Sequence, residues 1–203
     1  MNKQIVQKTD FLTNQKNVFN SDEIQNGLEV LFETIEQGDL DKLKNLIDSG
    51  ANVNAKDEDN WTLLHCAASY NSNSSILKYL VLQGADVNAK DEDGWTALHY
   101  AASENNNVEI VEYLISQGID GNVKNKDGST PLHCAAKNSN ASIDILKLLE
   151  SHGADVNAID QKGKTPLDYA QRTKNNKEIC KYLISIGAKN TSKFNWFFKL
   201  LGF

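Results

Sequence analysis

An all-α solenoid of about five stacked helical units is the fold class this sequence predicts, and three observations predict it. The phrase Thr130-Pro131-Leu132-His133, followed by Cys134-Ala135-Ala136, returns as Thr62-Leu63-Leu64-His65, Thr96-Ala97-Leu98-His99 and Thr165-Pro166-Leu167-Asp168, at intervals of 34, 34 and 35 residues. A fixed period of this size marks a repeat array in which each unit buries its apolar face on the next. Behind each phrase runs a second apolar stripe at helical spacing, Ile76/Leu77/Leu80, Ile110/Val111/Leu114, Ile145/Leu146/Leu149 and Ile179/Leu183. A glycine closes each stripe (Gly84, Gly118, Gly153, Gly187), where a helix end calls for a left-handed residue.

The elements follow in order. Residues 1–20 are polar, with apolar pairs at Ile5-Val6, Phe11-Leu12 and Val18-Phe19 but no sustained period, and read as a flexible arm. Ser21, with Asp22 and Glu23 behind it, is placed to cap a helix whose face is Leu28, Leu31, Phe32 and Ile35. The array then spans 21–189, with units at about 27–59, 60–93, 94–127, 128–162 and 163–189. The first unit has Glu29 and Phe32 where later ones have Thr and His, as a terminal unit facing water should. In the others, Thr62, Thr96, Thr130 and Thr165 stand at helix starts as caps. The only prolines, Pro131 and Pro166, fall at the first helical position, where the missing N–H is harmless. The pairs Ala67-Ala68, Ala101-Ala102 and Ala135-Ala136 keep the first helix narrow, so neighbouring units can approach to roughly 8–10 Å.

The recurring Thr-Pro-Leu-His-x-Ala phrase resembles the ankyrin repeat family, and the resemblance covers about 27–189. It implies helix-turn-helix units joined by projecting β-hairpin fingers, which here would follow Ala85-Asp86-Val87-Asn88-Ala89 and Ala154-Asp155-Val156-Asn157-Ala158. Two departures stand out. The units are longer than the family's period of about 33, and the extra residues fall in the turn between the helices: Asn71-Ser72-Asn73, Asn105-Asn106-Asn107 and Asn138-Ser139-Asn140. Surface turns absorb such insertions cheaply. In addition, Gly121 replaces the valine found at Val87 and Val156, which predicts a soft joint between the third and fourth units.

Composition narrows the function classes. Net charge −6 and a pI near 5.2 argue against a nucleic-acid binder that relies on phosphate attraction. No apolar run approaches a membrane span, and Met1-Asn2-Lys3-Gln4-Ile5-Val6 lacks the apolar core of a Sec-type signal. Cys66, Cys134 and Cys180 are an odd set at helix positions and read as reduced thiols. His65-Cys66 and His133-Cys134 invite a zinc reading, but the pairs lie two units apart and Tyr100 and Tyr169 fill the cysteine slot elsewhere. The histidines are expected to bond the turn and the capping threonine instead. No phosphate loop, His-Glu-x-x-His helix or nucleophile elbow occurs, so no catalytic, metal or cofactor residue is assigned and no enzyme is expected.

What remains is recognition of a partner protein. The family resemblance implies a concave face built from fingers and first helices. It places contacts at Glu58, Asp59, Trp61 and Tyr70 in the second unit and at Glu92, Asp93, Trp95 and Glu104 in the third. In the fourth and fifth units it places them at Lys126, Lys137, Lys164 and Arg172. That face is acidic and aromatic first and basic later, with Trp61 and Trp95 expected as a ladder one unit apart. The plainer reading packs the tryptophans on neighbouring fingers. The segment 190–203 carries Phe194, Trp196, Phe197, Phe198, Leu200, Leu201 and Phe203. It has three readings: a cap on the last unit, an insertion into a membrane surface or host-protein groove through 194–203, or a secretion or degradation signal. The alternative function is therefore a membrane-surface adaptor anchored by that segment. A monomer is expected, in the cytoplasm or delivered to a host cytosol without a Sec-type signal. The asparagine- and lysine-rich composition resembles ankyrin proteins of host-associated bacteria and some protists.

Overall fold

The computed structural model describes residues 21–70, 74–105, 107–140, 142–173 and 176–191, with side chains from residue 27 onward. The arm at 1–20, the capping role of Ser21 and the apolar segment 192–203 lie outside the residues so described. Among those that are, ten helices follow one another: α1 (Ser21–Glu36), α2 (Leu40–Asp48), α3 (Leu63–Ser69), α4 (Ser74–Leu82), α5 (Ala97–Ser103), α6 (Val108–Ser116), α7 (Pro131–Lys137), α8 (Ile143–Ser151), α9 (Pro166–Arg172) and α10 (Lys177–Ser185). The odd-numbered first helices stack in series, and the even-numbered second helices stack in series behind them. The core is one continuous strip along this double stack. Ala67, Ala68, Ala101, Ala102, Ala135 and Ala136 are fully buried where first helices meet, and Leu77, Leu80, Ile110, Leu114, Ile145 and Leu149 are fully buried beneath them. Burial of this kind, repeated at each junction, holds short helices that would not survive alone in water.

Polar staples set the spacing. Nδ1 of His65, His99 and His133 accepts the backbone N–H of Thr62, Thr96 and Thr130, each at 3.1 Å. An amide can only donate, so the ring proton sits on Nε2. That proton is given onward along the chain: His99 to Ser129 and His133 to Lys164, each in the next unit, and His65 to the Ala89 carbonyl near the end of its own unit, all at 3.1 Å. One side chain thus starts its own helix and ties down the next finger. In the last unit Asp168 takes over. Its carboxylate accepts from Thr165 N at 3.0 Å and from the Thr191 hydroxyl at 2.7 Å, so the chain leaving α10 is held against the start of α9.

The fingers are tight turns rather than extended hairpins. Among the described residues the only ladder pairing is the antiparallel bridge Lys56–Thr62. Each turn is closed by a side chain at its base: Asp57 Oδ1 accepts from Trp61 N at 2.8 Å, Asp91 from Trp95 N at 2.8 Å, Asn125 from Ser129 N at 2.9 Å and Asp160 from Lys164 N at 2.8 Å. Neighbouring fingers are joined through backbone: Glu92 N to Asp59 O at 2.7 Å, Lys126 N to Asp93 O at 2.9 Å, and Gln161 N to Asp127 O at 2.8 Å.

One expectation is corrected. The lengthened turns between helices are not all surface slack. Asn105 is fully buried and its Nδ2 donates to the Ala68 carbonyl at 2.9 Å, at the end of the preceding unit's first helix. Asn176 does the same to Ala136 at 3.0 Å. The inserted length lets an asparagine reach back and satisfy a carbonyl that the helix end leaves unpaired. Asn105→Ala, which orphans that carbonyl, is expected to lower stability by about 2 kcal/mol and Tm by roughly 4–8 °C in a thermal melt.

Around Gly121 a neighbouring residue makes up part of the lost volume. Ile119, 4% exposed, stands in the slot held by Ala51, Ala85, Ala154 and Ala188, so the volume lost at Gly121 reappears two residues earlier. Those alanines donate to a helix carbonyl at 2.9–3.1 Å, and among the described residues Ile119 does not. Asn54, Asn122 and Asn157 each bracket the next unit, with Oδ1 accepting from Asp86, Asp155 and Lys189 at 2.8, 2.7 and 2.7 Å. Asn88, in the same register facing Ile119 and Asp120, makes no such bond among the described residues. The irregular junction is therefore between the second and third units, while Asn122 ties the third to the fourth.

Candidate functional site

The second and third fingers stand side by side because of the backbone bond from Glu92 to Asp59, and each tip carries three consecutive acids, Asp57-Glu58-Asp59 and Asp91-Glu92-Asp93. Between them opens a groove of about 430 Å³ lined by Asp57, Asp59, Trp61, Asp91, Glu92, Asp93 and Tyr100. Four of the twelve contact residues read from the sequence, Asp59, Trp61, Glu92 and Asp93, come together here.

The aromatic arrangement differs from a tryptophan ladder. Tyr100 stands between the two indoles, 4.3 Å from Trp61 in an edge-on contact and 4.9 Å from Trp95 at a shallower tilt. Both tryptophans are half-buried and also lie 5.7 Å from the histidine of their own unit. Trp95 backs Tyr100, as the packing reading expects, whereas Trp61 lines the groove. The Tyr100 hydroxyl donates to Asp91 Oδ2. Burial, and then that carboxylate, raise the phenol well above its usual range, so it stays a donor. Tyr169 repeats the bond in the fifth unit, to Asp160 at 2.5 Å, but no tryptophan flanks it there.

Asp57 and Asp91 are occupied in closing their turns. Asp59, Glu92 and Asp93 are exposed, and among the described residues their carboxylates have no ion-pair or hydrogen-bond partner within the chain. The two nearby lysines point elsewhere: Lys56 Nζ donates to Asn60 at 2.8 Å and Lys90 Nζ to the Lys124 carbonyl at 3.2 Å.

The other sequence-derived residues lie apart from the groove. Glu58 is exposed at its fingertip. Tyr70, 53% exposed, caps the end of α3, where Glu36 and then burial raise its hydroxyl. Glu104 caps α5 and is exposed. Lys126, Lys137 and Arg172 are exposed along the fourth and fifth units, while Lys164 is half-buried with its backbone engaged by His133 and Asp160. Three groove residues were not singled out from the sequence: Asp57, Asp91 and Tyr100. The signal for Tyr100 was present, since a large ring fills the slot that Cys66 and Cys134 keep small, five residues after Trp95.

The remaining reactive side chains are structural. Both ring nitrogens of His65, His99 and His133 are engaged, and no group of three or more metal-ligating side chains is assembled among the described residues. Burial lowers all three histidines, His99 to about 4, so they are neutral at pH 7. Burial pushes Cys66 and Cys134 up to about 12 and Cys180 to about 11, which leaves them protonated and poor nucleophiles.

Comparison with known proteins agrees with this geometry. The family described as ankyrin repeats (3 copies) matches residues 31–125 and 102–194, which together take in most of the chain. No curated protein matches it. No helix among the described residues is long and apolar enough to cross a membrane. Repeats of this family are in general protein-protein interaction modules. With its stacked helix pairs, histidine staples and matched repeats, the chain belongs to the ankyrin repeat family.

Proposed function

We propose that this protein is a non-catalytic recognition module that binds a partner protein along the face formed by its fingers and first helices. Fingers two and three carry the acidic and aromatic half of that face, and Lys126, Lys137, Lys164 and Arg172 the basic half. The observation that supports this reading is the groove itself: exposed carboxylates at Asp59, Glu92 and Asp93 stand beside the indole of Trp61, with no cation of the chain neutralising them among the described residues. Charges left unpaired on a rigid scaffold favour an oppositely charged partner and fix its orientation, and half-buried aromatic side chains are the usual anchors of such contacts. We infer a reducing compartment, the cytoplasm or a host cytosol, from three cysteines that are all free and buried.

The test is affinity capture by the full chain, with contacts mapped by cross-linking. Replacing Asp59, Glu92 and Asp93 together by lysine is expected to reduce capture at least tenfold, roughly the effect of juxtaposing like charges. Glu112→Lys, on the exposed side of the second helix α6, is the control and should leave capture unchanged. Equal capture by both variants, with helical content intact, would remove this face as the site.

A further inference from the structure

Resting on that reading, we propose that the groove between fingers two and three takes an arginine side chain from a basic segment of the partner. Three features of the groove select the chemistry. First, its free charge is negative and unshared: Asp59, Glu92 and Asp93 have no partner within the chain among the described residues, whereas Asp57 and Asp91 are tied to the turns and to Tyr100. An anionic ligand is therefore excluded and a cation favoured.

Second, the carboxylates are spread along two fingertips rather than gathered. No three of them are close enough to hold a metal ion among the described residues. A divalent cation needs several oxygens at about 2.0–2.6 Å, so the occupant is a cation extended over several ångströms. Third, the acids stand next to an aromatic wall. Trp61 and Tyr100 line the same space of about 430 Å³, and Trp95, 4.9 Å behind Tyr100, keeps the tyrosine ring from turning away. The Tyr100 hydroxyl is fixed on Asp91 and its ring is packed against both indoles, so Trp61 supplies the main apolar surface for a ligand.

A guanidinium answers all three. It is planar and weakly hydrated, it stacks on aromatic rings, and its fork of N–H donors can bond two carboxylates at once. An ammonium supplies the charge without the plane. Neutral and acidic side chains leave the carboxylates unanswered. The basic stretch of the partner would lie at the N-terminal half of the array, and its continuation would run toward Lys126, Lys137 and Arg172, where acidic residues are favoured.

The test uses the full chain and short fluorescein-labelled peptides read by anisotropy. One peptide carries arginines, a second carries citrulline at the same positions as the neutral isostere, and a third carries lysine. The arginine peptide is expected to bind, the lysine peptide several-fold more weakly and the citrulline peptide at least tenfold more weakly, a loss of about 1.4 kcal/mol. Raising salt should weaken the arginine peptide and leave the citrulline peptide unmoved. Asp59→Asn with Glu92→Gln and Asp93→Asn, all at exposed positions, should bring the arginine peptide down to the citrulline level. Equal binding of arginine and citrulline peptides, equal binding of arginine and lysine peptides, or indifference to the amide variants would each overturn the assignment. If the arginine peptide fails while the lysine substitutions still abolish partner capture, the arginine assignment falls and the recognition face stands. If capture is also indifferent, both fall.

Discussion

His99→Ala is expected to lower the unfolding free energy by about 4 kcal/mol at pH 7.5 and by only about 1 kcal/mol at pH 4.5. At neutral pH the substitution removes a fully buried ring. It also leaves the Thr96 N–H without a partner and takes from the Ser129 carbonyl one of its two hydrogen bonds, the other coming from Asn125 N. The pH dependence follows from the lowered pKa. Burial takes His99 from an ordinary 6.5 to about 4, because the neutral ring fits the staple and a charged one does not. Above pH 6.5 neither folded nor unfolded chain carries that proton and the staple contributes in full. Between pH 6.5 and 4 the unfolded chain takes the proton and the folded chain does not, so stability falls by about 1.4 kcal/mol per pH unit. The alanine variant has no such group and loses less on acidification. His65 and His133 shift in the same direction for the same first cause, so the wild-type decline should be steeper than one proton allows. Urea titrations of both proteins at the two pH values measure the difference. A gap independent of pH would mean that His99 is not held neutral in the folded chain.

The same histidine shows what the sequence disclosed and what it withheld. The period of the Thr phrase placed the starts of α3, α5, α7 and α9, and the His–Thr bond followed from the capping role of the phrase. The second bond of each ring, to a carbonyl 24 to 31 residues further on at 3.1 Å, required a neighbour that periodicity implies but does not locate. Asn105 departs from the surface reading for a related reason. An asparagine-rich turn looks like surface in one dimension, and only the stacking of α5 on α3 puts the Ala68 carbonyl within its reach. At the candidate site, the acids and Trp61 were legible because fingertips are the least constrained positions of a repeat. Tyr100 was not, because its slot normally serves packing. Its significance lies in the contacts on either side, to Trp61 and Trp95, which come from two different units. Pairs within one unit are read from spacing, whereas pairs across units depend on how far each unit turns relative to the last.

The second large effect is expected at Gly128, where the two ends of a finger junction meet. Gly128 sits at φ +76°, and a Cβ placed there would lie 3.1 Å from Gln161 N and 3.3 Å from Asp160 Cα, both backbone atoms that cannot swing aside. Gly94 faces Lys126 N in the same way, at 3.1 Å. Asn60, in the corresponding position of the second unit, adopts φ 60° with a side chain, so the left-handed conformation alone does not demand glycine. Gly128→Val combines a β-branched residue in that conformation with the clash, and is expected to cost about 3 kcal/mol. Gly128→Asn keeps a residue that tolerates the conformation and should cost about 1 kcal/mol, which isolates the clash. The local readout is amide exchange at Gln161, whose N–H donates to Asp127 O at 2.8 Å across the junction. Valine should strip that protection and leave Glu92, at the junction between fingers two and three, protected. Equal loss at both amides would mean that the fingers move as one body. Loss at Gln161 alone would make the variant a means of unseating the basic half of the face while the acidic groove stays whole, so that the contribution of each half to partner capture can be measured separately.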